Sequence, residues 1–128
     1  KVVFEAYGQS DLFIMPSIIA TDGDRDGLPN VLMEAASKKV CCIATDLPGI
    51  TEFIKHDETG WIVPSNNCRE LMSGIISLSK DPAKRVRLAE AANDFLATHF
   101  SHSKNVQDII KLLKSELDEN KNVLKDIL

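Results

Sequence analysis

Residues 40–45 read Val-Cys-Cys-Ile-Ala-Thr, an apolar run that no charged residue interrupts. Continuous rather than alternating hydrophobicity predicts a strand buried on both faces, which is typical of a parallel sheet. A similar run over 12–15 predicts a strand before it, and a short run over 61–64 predicts one after it. Helices are predicted in the two intervals, over 30–38 and 50–55. Strands that alternate with helices predict an α/β fold with a parallel sheet and flanking helices.

The rest of the chain is predicted to be mainly helical. Apolar spacing and capping residues predict further helices over 2–9, 69–79, 82–98 and 104–128. The last of these is long and amphipathic, and it follows the predicted cap Ser101-His102-Ser103. Its length suggests that it does not pack wholly on a small domain.

The composition excludes several classes of protein. The net charge is −4 and aromatic residues make up 5%, so the chain lacks the basic footprint and stacking platforms of nucleic-acid-binding proteins. No apolar run approaches the roughly 18 residues of a membrane-spanning helix. The cysteines are Cys41, Cys42 and Cys68, an odd number with two adjacent in an apolar run. This usage predicts reduced core residues in a cytoplasmic protein.

Most of the candidate binding residues lie after the first strand, in the segment 22–34. This segment reads Asp-Gly-Asp-Arg-Asp-Gly-Leu-Pro-Asn-Val-Leu-Met-Glu. Pro29 is predicted as the first helical residue. The amides near Leu28 and Asn30 would have no partner within the helix, so they would favour an anion such as a diphosphate. Gly27 would let that ligand approach the backbone closely.

Two carboxylates flank this predicted anion site. Asp26 lies just before the helix and Glu34 lies inside it, and carboxylates accept hydrogen bonds from hydroxyl groups. The arrangement suits a ligand with a central diphosphate and hydroxyl-rich rings at both ends, such as a nucleotide sugar. Two simpler interpretations stay open: Glu34 pairs with Lys38 on a solvated helix face, and Asp22, Asp24 and Asp26 only form a loop.

The same loop imitates an EF-hand calcium loop, because it reads Asp22-x-Asp24-x-Asp26-Gly. That motif needs Glu at its twelfth position, where this chain has Met33, and Glu34 comes one residue late. A strand rather than a helix precedes the loop. Calcium binding is therefore the weaker interpretation. Histidines and cysteines are dispersed, so no other metal site is expected.

The segment 26–34 resembles the donor-site motif of retaining GT-B glycosyltransferases of the family 4, or group 1, type: an acidic residue, seven residues and then Glu. Blocks at 10–17, 44–46, 49–52 and 59–64 resemble the family's neighbouring blocks in the same order. The resemblance implies a Rossmann-like parallel sheet with flanking helices, the partial C-terminal half of a GT-B fold. Residues 1–103 would form a partial nucleotide-sugar-binding domain, and 104–128 an amphipathic helix of that domain or a crossover helix.

The family's roles transfer position by position. Asp26 would contact the transferred sugar and Glu34 would hold the ribose hydroxyls, so these are the expected catalytic residues. The backbone between them would meet the diphosphate or the sugar, at Gly27, Leu28, Pro29 and Asn30. Arg25 would contact the sugar or an anionic group, or would instead form a salt bridge in the loop to Asp22 or Asp24. Asp26 departs from the family, which usually has the longer Glu there.

The resemblance implies transfer of a hexose from a UDP- or GDP-linked donor to a saccharide or lipid-linked acceptor, with retention, in polysaccharide biosynthesis. No metal and no cofactor besides this donor substrate are expected. The expected partners are the nucleotide sugar and a missing N-terminal acceptor domain, and no nucleic acid. We expect an inactive fragment of a longer parent; peripheral membrane association of the parent and self-association of the fragment are both compatible with it. The alternative is a non-enzymatic module that binds calcium or a partner through the Asp22–Asp26 loop or the last helix.

Overall fold

The computed structural model describes residues 2–25, 27–100 and 105–115. The chain divides into two compact units, Lys1–Ala97 and Thr98–Leu128. The elements in chain order are α1 (Val2–Tyr7), β1 (Leu12–Met15), α2 (Asn30–Ser37), β2 (Cys41–Thr45), α3 (Pro48–Phe53), β3 (Trp61–Val63), α4 (Cys68–Lys80) and α5 (Pro82–His99). The predicted division between 103 and 104 stays a prediction.

The three strands form one parallel sheet in the order β1-β2-β3. β2 lies at its centre, where Ile43 pairs with Ile14 of β1 and with Trp61 of β3. Every residue of β2 is buried, as its continuous apolar run predicts. The expected α/β fold, with a Rossmann-like parallel sheet and flanking helices, is therefore confirmed.

Both faces of β2 are covered by helices. Cys41 and Ile43 pack on one face against buried residues of α4 and α5. Successive side chains of a strand point to opposite faces, so Cys42 and Ala44 face the other side. Because the strand order advances steadily in one direction, right-handed crossovers place α2 and α3 together on that second face. The helices leave the carboxyl ends of the strands, and the loops that follow them, at the surface.

Three local expectations need correction. Pro29 is the N-cap of α2 rather than its first helical residue, because its ψ of 127° is extended. Helix α3 begins at Pro48 rather than at 50, since proline suits a first helical turn, where no N–H donor is needed. Cys68 is exposed at the start of α4, whereas Cys41 and Cys42 are buried, so Cys68 is not a core residue.

The second unit is described over part of its length. Residues 105–115 are helical, as predicted, and all of them are exposed. Val106, Ile109, Ile110 and Leu113, which share a helix face at i, i+3, i+4 and i+7, are exposed apolar residues. The predicted cap at 101–103 and the predicted helical residues 116–128 lie outside the described residues. Among the helices that are described, none is long and apolar enough to cross a membrane.

Candidate functional site

Hydrogen bonds tie together the loops at the carboxyl edge of the sheet. The hydroxyl of Thr45, at the end of β2, donates to the carbonyl of Ser17, beyond β1, at 2.7 Å. Asp46 Oδ1 accepts from the backbone N–H of Ser65, beyond β3, at 2.7 Å. Ligands of open α/β sheets bind at this edge, so these bonds hold the loops of the candidate site in place.

The acidic loop after β1 forms a compact turn. The carbonyl of Asp24 accepts from the N–H of Ala20 at 2.9 Å, and Gly23 donates to the carbonyl of Ala20 at 2.9 Å. Gly23 has a φ of 87°, a conformation that glycine adopts readily. Asp22 Oδ1 accepts from the N–H of Asp24 at 3.1 Å, so the loop's own backbone uses this carboxylate.

A calcium site finds no support in this turn. Within the described ranges, no group of three or more His, Cys, Asp or Glu residues is placed to hold a metal ion. Asp26, the third carboxylate of the calcium-like motif, lies outside the described residues. The Asp22 carboxylate and the Asp24 backbone carbonyl take part in the turn's own hydrogen bonds, as expected for loop-forming residues.

The amino end of α2 lies open at this edge. Pro29 is its N-cap and makes no side-chain capping hydrogen bond. The N–H of Leu32 donates to the Pro29 carbonyl at 3.1 Å, whereas no described side chain caps the preceding amides. Asn30 is exposed, and Leu28 and Pro29 are half-buried. An uncapped first turn with its positive dipole end at the surface suits an anion.

Gly27 and Gly49 explain how closely the backbone is packed beside this helix. A Cβ atom on Gly49, in α3, would overlap the carbonyl group of Gly27 and lie 2.9 Å from its Cα. A Cβ atom on Gly27 would meet nothing within 4 Å beyond its chain neighbours. The loop before α2 therefore rests on α3 through two glycine backbones, and the Cβ direction of Gly27 faces open space.

Glu34 lies on the flank of α2 and contacts a residue that the sequence did not single out. Its carboxylate Oε2 accepts from the Tyr7 hydroxyl at 3.4 Å, and that hydroxyl also lies 3.4 Å from the carbonyl of Val31. Burial, with the Glu34 charge and hydrogen bond, raises the pKa of Tyr7. Within the described residues no ion pair joins Glu34 to Lys38; Lys38 Nζ lies 5.4 Å from the Phe4 ring centre.

The predicted site residues are partly assembled. Gly27, Leu28, Pro29 and Asn30 lead into the α2 start, and Glu34 lies one turn further along. Arg25 is exposed, and no ion pair between it and Asp22 or Asp24 occurs in the described loop. The position of Asp26 is outside the described residues, so its role stays a prediction.

A separate cavity lies at the same edge. It is formed by the ends of β2 and β3, by residues that follow β1 and β3 and by the first turn of α4, among them Ile18, Thr45, Asn66, Cys68 and Leu71. Its volume of about 130 Å³ is well below the roughly 300–1,000 Å³ of ligand pockets. None of the predicted donor residues lines it, so the candidate site is the open surface around α2 rather than this cavity.

The parallel sheet with flanking helices, and the open helix start at its carboxyl edge, define an α/β protein of Rossmann-like architecture. The family "Glycosyl transferases group 1" matches residues 2–95. The chain belongs to this family, and the resemblance found in its motifs is confirmed at that level.

Two of the relatives that the chain resembles are named as biosynthesis glycosyltransferases. The chain is 30% identical over 106 residues to the amylovoran biosynthesis glycosyltransferase AmsK of Erwinia amylovora, covering 83% of this chain and 26% of that protein. It is 29% identical over 107 residues to the putative colanic acid biosynthesis glycosyltransferase WcaL of Escherichia coli, with the same coverage of 83% and 26%. The chain thus spans about a quarter of the length of these relatives.

Solved structures share the fold. The crystal structure of Anabaena HepE in complex with UDP-glucose aligns with a TM-score of 0.78 at 21% identity, over 90% of this chain and 30% of that one. This likeness confirms the architecture, namely a parallel sheet flanked by helices as found in GT-B glycosyltransferases.

Proposed function

We propose that the chain is the donor-binding part of a retaining glycosyltransferase, in the C-terminal half of a GT-B fold. The observation that carries this proposal is the uncapped start of α2 beside the half-buried carboxylate of Glu34. One element therefore offers donors for a diphosphate and acceptors for hydroxyl groups. HepE, which shares the fold, is crystallised with UDP-glucose, and this supports a nucleotide sugar as the ligand.

In this proposal each site residue has a separate task. The first amides of α2, near Asn30, stabilise the leaving diphosphate, and Glu34 accepts hydrogen bonds from the ribose hydroxyls. Asp26 orients the hexose, with Arg25 beside it on the sugar or another anionic group. Gly27 leaves the space in which the donor lies against the backbone. The protein's contribution is thus positioning and charge stabilisation.

The proposed reaction transfers a hexose from a UDP- or GDP-linked donor to a saccharide or lipid-linked acceptor. The oxygen of an acceptor hydroxyl forms a bond to the anomeric carbon, the bond from that carbon to the diphosphate breaks, and the nucleoside diphosphate leaves with the proton that the hydroxyl releases. We propose retention of the anomeric configuration and no metal or cofactor besides the donor. The names of AmsK and WcaL, both in polysaccharide biosynthesis, support a saccharide acceptor.

The remaining proposals concern the protein to which this donor site belongs. Since the chain covers about a quarter of its relatives' length, we propose that an acceptor-binding domain lies in further sequence and that this chain alone does not catalyse transfer. We also propose a cytoplasmic location, which the three free cysteines support. We further propose that the longer protein associates peripherally with a membrane and that this chain self-associates.

A transfer assay with defined donors tests the proposed function. The longer protein that contains this chain, here called the intact protein, is incubated with UDP- and GDP-linked hexoses and a saccharide acceptor, and the product linkage is determined by NMR. Transfer from one of these donors with the anomeric configuration preserved is the expected result. Inversion of the anomeric configuration would overturn the retaining mechanism. Hydrolysis of the donor without transfer, or transfer only from donors of other classes, would overturn the donor assignment.

A further inference from the structure

We infer that Tyr7 is a positioning residue that holds the carboxylate of Glu34 in the orientation needed to bind the donor's ribose. The inference rests on the proposed function, because it assumes that Glu34 binds the ribose hydroxyls. It assigns a role to a residue of α1 that lies 27 positions away from Glu34 in the sequence.

The contact is partly buried, and the Tyr7 side chain belongs to the core. Tyr7 is 5% exposed, and its ring packs edge-on against Phe13 of β1 with ring centres 5.6 Å apart. Phe4 packs on it from the same helix at 6.0 Å, again edge-on. The ring is thus fixed from two sides, so the hydroxyl at its end has a defined position beside α2.

The hydroxyl meets α2 at two points that orient Glu34. It lies 3.4 Å from the Glu34 carboxylate and 3.4 Å from the carbonyl of Val31. One proton is shared between these acceptors, and the Val31 carbonyl belongs to the first turn of the same helix. A half-buried carboxylate with a fixed donor on one side loses less rotamer freedom when it binds a ligand.

The Tyr7 hydroxyl keeps its proton beside Glu34. Burial of the phenol and the neighbouring Glu34 charge raise the pKa of Tyr7. The phenol therefore stays protonated and remains a donor. Glu34 keeps its other lone pairs free to accept from hydroxyls of a ligand.

The test measures how strongly the protein discriminates ribose hydroxyls. Affinities of the intact protein for UDP and GDP are compared with those for their 2′,3′-dideoxy analogues, in wild type, Tyr7→Phe and Glu34→Ala. We expect Tyr7→Phe to reduce the discrimination ratio by about twofold to tenfold, the scale of one hydrogen bond, with little change in affinity for the dideoxy compounds. A merely structural role would weaken both compounds equally and leave the ratio unchanged.

A matched control and separate failure patterns keep the two proposals apart. Ser10→Ala removes a hydroxyl that donates to the Ala6 carbonyl at 2.7 Å, and it should leave the ratio at the wild-type value. If Glu34→Ala abolishes the discrimination while Tyr7→Phe does not change it, the positioning role of Tyr7 is overturned and the proposed function survives. If Glu34→Ala leaves the ratio unchanged, or neither nucleotide binds, the proposed function itself is overturned.

Discussion

A substitution at Gly27 is expected to weaken ligand binding without changing the stability of the fold. A methyl group at this position would meet no atom within 4 Å beyond its chain neighbours, so Gly27→Ala should change the free energy of unfolding by about 0.5 kcal/mol or less, as surface substitutions do. The same methyl group would occupy the space proposed for the donor. We expect nucleotide affinity to fall by about tenfold or more, which corresponds to roughly 1.4 kcal/mol.

Urea unfolding and nucleotide titration of the same Gly27→Ala preparation check both halves of this prediction. Unchanged stability with weakened binding is the expected pair of results. Full nucleotide affinity in the variant would show that the donor does not lie against this part of the backbone.

At the level of single residues, the sequence predicted the binding motif but not Tyr7, the residue that contacts Glu34. Gly27, Asn30 and Glu34 follow one another closely, so their spacing is visible in the sequence and the structure places them along the start of α2. Tyr7 was missed because its contact with Glu34 depends on how α1 packs on α2. No local pattern encodes a hydrogen bond between residues that far apart, although a tyrosine at the end of a short apolar helix is a weak signal.

The contact between α3 and the loop before α2 is the tightest link between elements near the site. Because a Cβ on Gly49 would overlap the backbone of Gly27, Gly49→Ala must displace one of the two segments. We expect a loss of about 1–3 kcal/mol in the free energy of unfolding, typical of overpacking, together with weaker nucleotide binding. Chemical denaturation and calorimetry measure the two effects.

Gly8→Ala is the matched control for that substitution. Its Cβ would lie 3.6 Å from the Glu5 carbonyl oxygen, an ordinary contact, so the variant should be close to wild type in stability. If Gly49→Ala proves as stable as Gly8→Ala and binds nucleotide normally, the loop does not depend on this glycine contact.

A cluster of ion pairs joins the turn before β3 to α5. Asp57 Oδ1 lies 2.6 Å from the Arg87 guanidinium and 3.0 Å from Lys84 Nζ, and Arg87 also donates to the Asp57 carbonyl. Hydrogen bonds from Lys84 and Arg87 lower the pKa of the Asp57 carboxyl from its ordinary value of 3.8. This carboxylate therefore stabilises the fold above about pH 4, and the contribution is lost as pH falls through the lowered value.

Asp57→Asn tests the cluster without disturbing the backbone, since Asn tolerates the φ of 59° found at this position. We expect a lower urea midpoint than wild type at pH 7 and a smaller difference at pH 3. Asp11→Asn is the control, because its side chain is 83% exposed beside Arg85 and should contribute little. A deficit of Asp57→Asn that is equal at both pH values would contradict the electrostatic origin.

Element boundaries were predictable where the sequence signal is local. The strand predicted over 12–15 coincides with β1, and α4 starts after Asn67, whose side chain accepts from the Glu70 N–H. The starts of α2 and α3 were misplaced because proline permits both an extended N-cap and a first helical residue. Only the conformation in the folded chain, extended at Pro29 and helical at Pro48, decides between them.

The whole molecule should protect two of its three thiols. Burial raises the pKa of Cys41 to about 11 and that of Cys42 to about 12, and both lie in the central strand, whereas Cys68 is exposed. We expect an alkylating reagent at neutral pH to label Cys68 in the native state and all three cysteines only in urea. Peptide mass spectrometry gives the readout, and native labelling of Cys41 at the rate of Cys68 would contradict the fold.

The strand order and the surroundings of the candidate site also depend on the whole molecule rather than on local sequence. Apolar runs predicted three parallel strands, but their order, β1-β2-β3, depends on how the helices pack on the two faces of the sheet. The candidate site is an open surface at one edge of this sheet. What completes it depends on sequence beyond the quarter of each relative that this chain covers.

The proposed function rests on the claim that α2 binds a nucleotide through its first turn and Glu34. Isothermal titration of the intact protein with UDP and with GDP, in wild type and in Glu34→Ala, measures this binding, with Glu5→Ala on the exposed side of α1 as the control. We predict binding of one nucleotide by wild type and the control, weakened by about 1–3 kcal/mol in Glu34→Ala, the scale of hydrogen bonds to a charged group. Equal affinity in wild type and Glu34→Ala would contradict the claim.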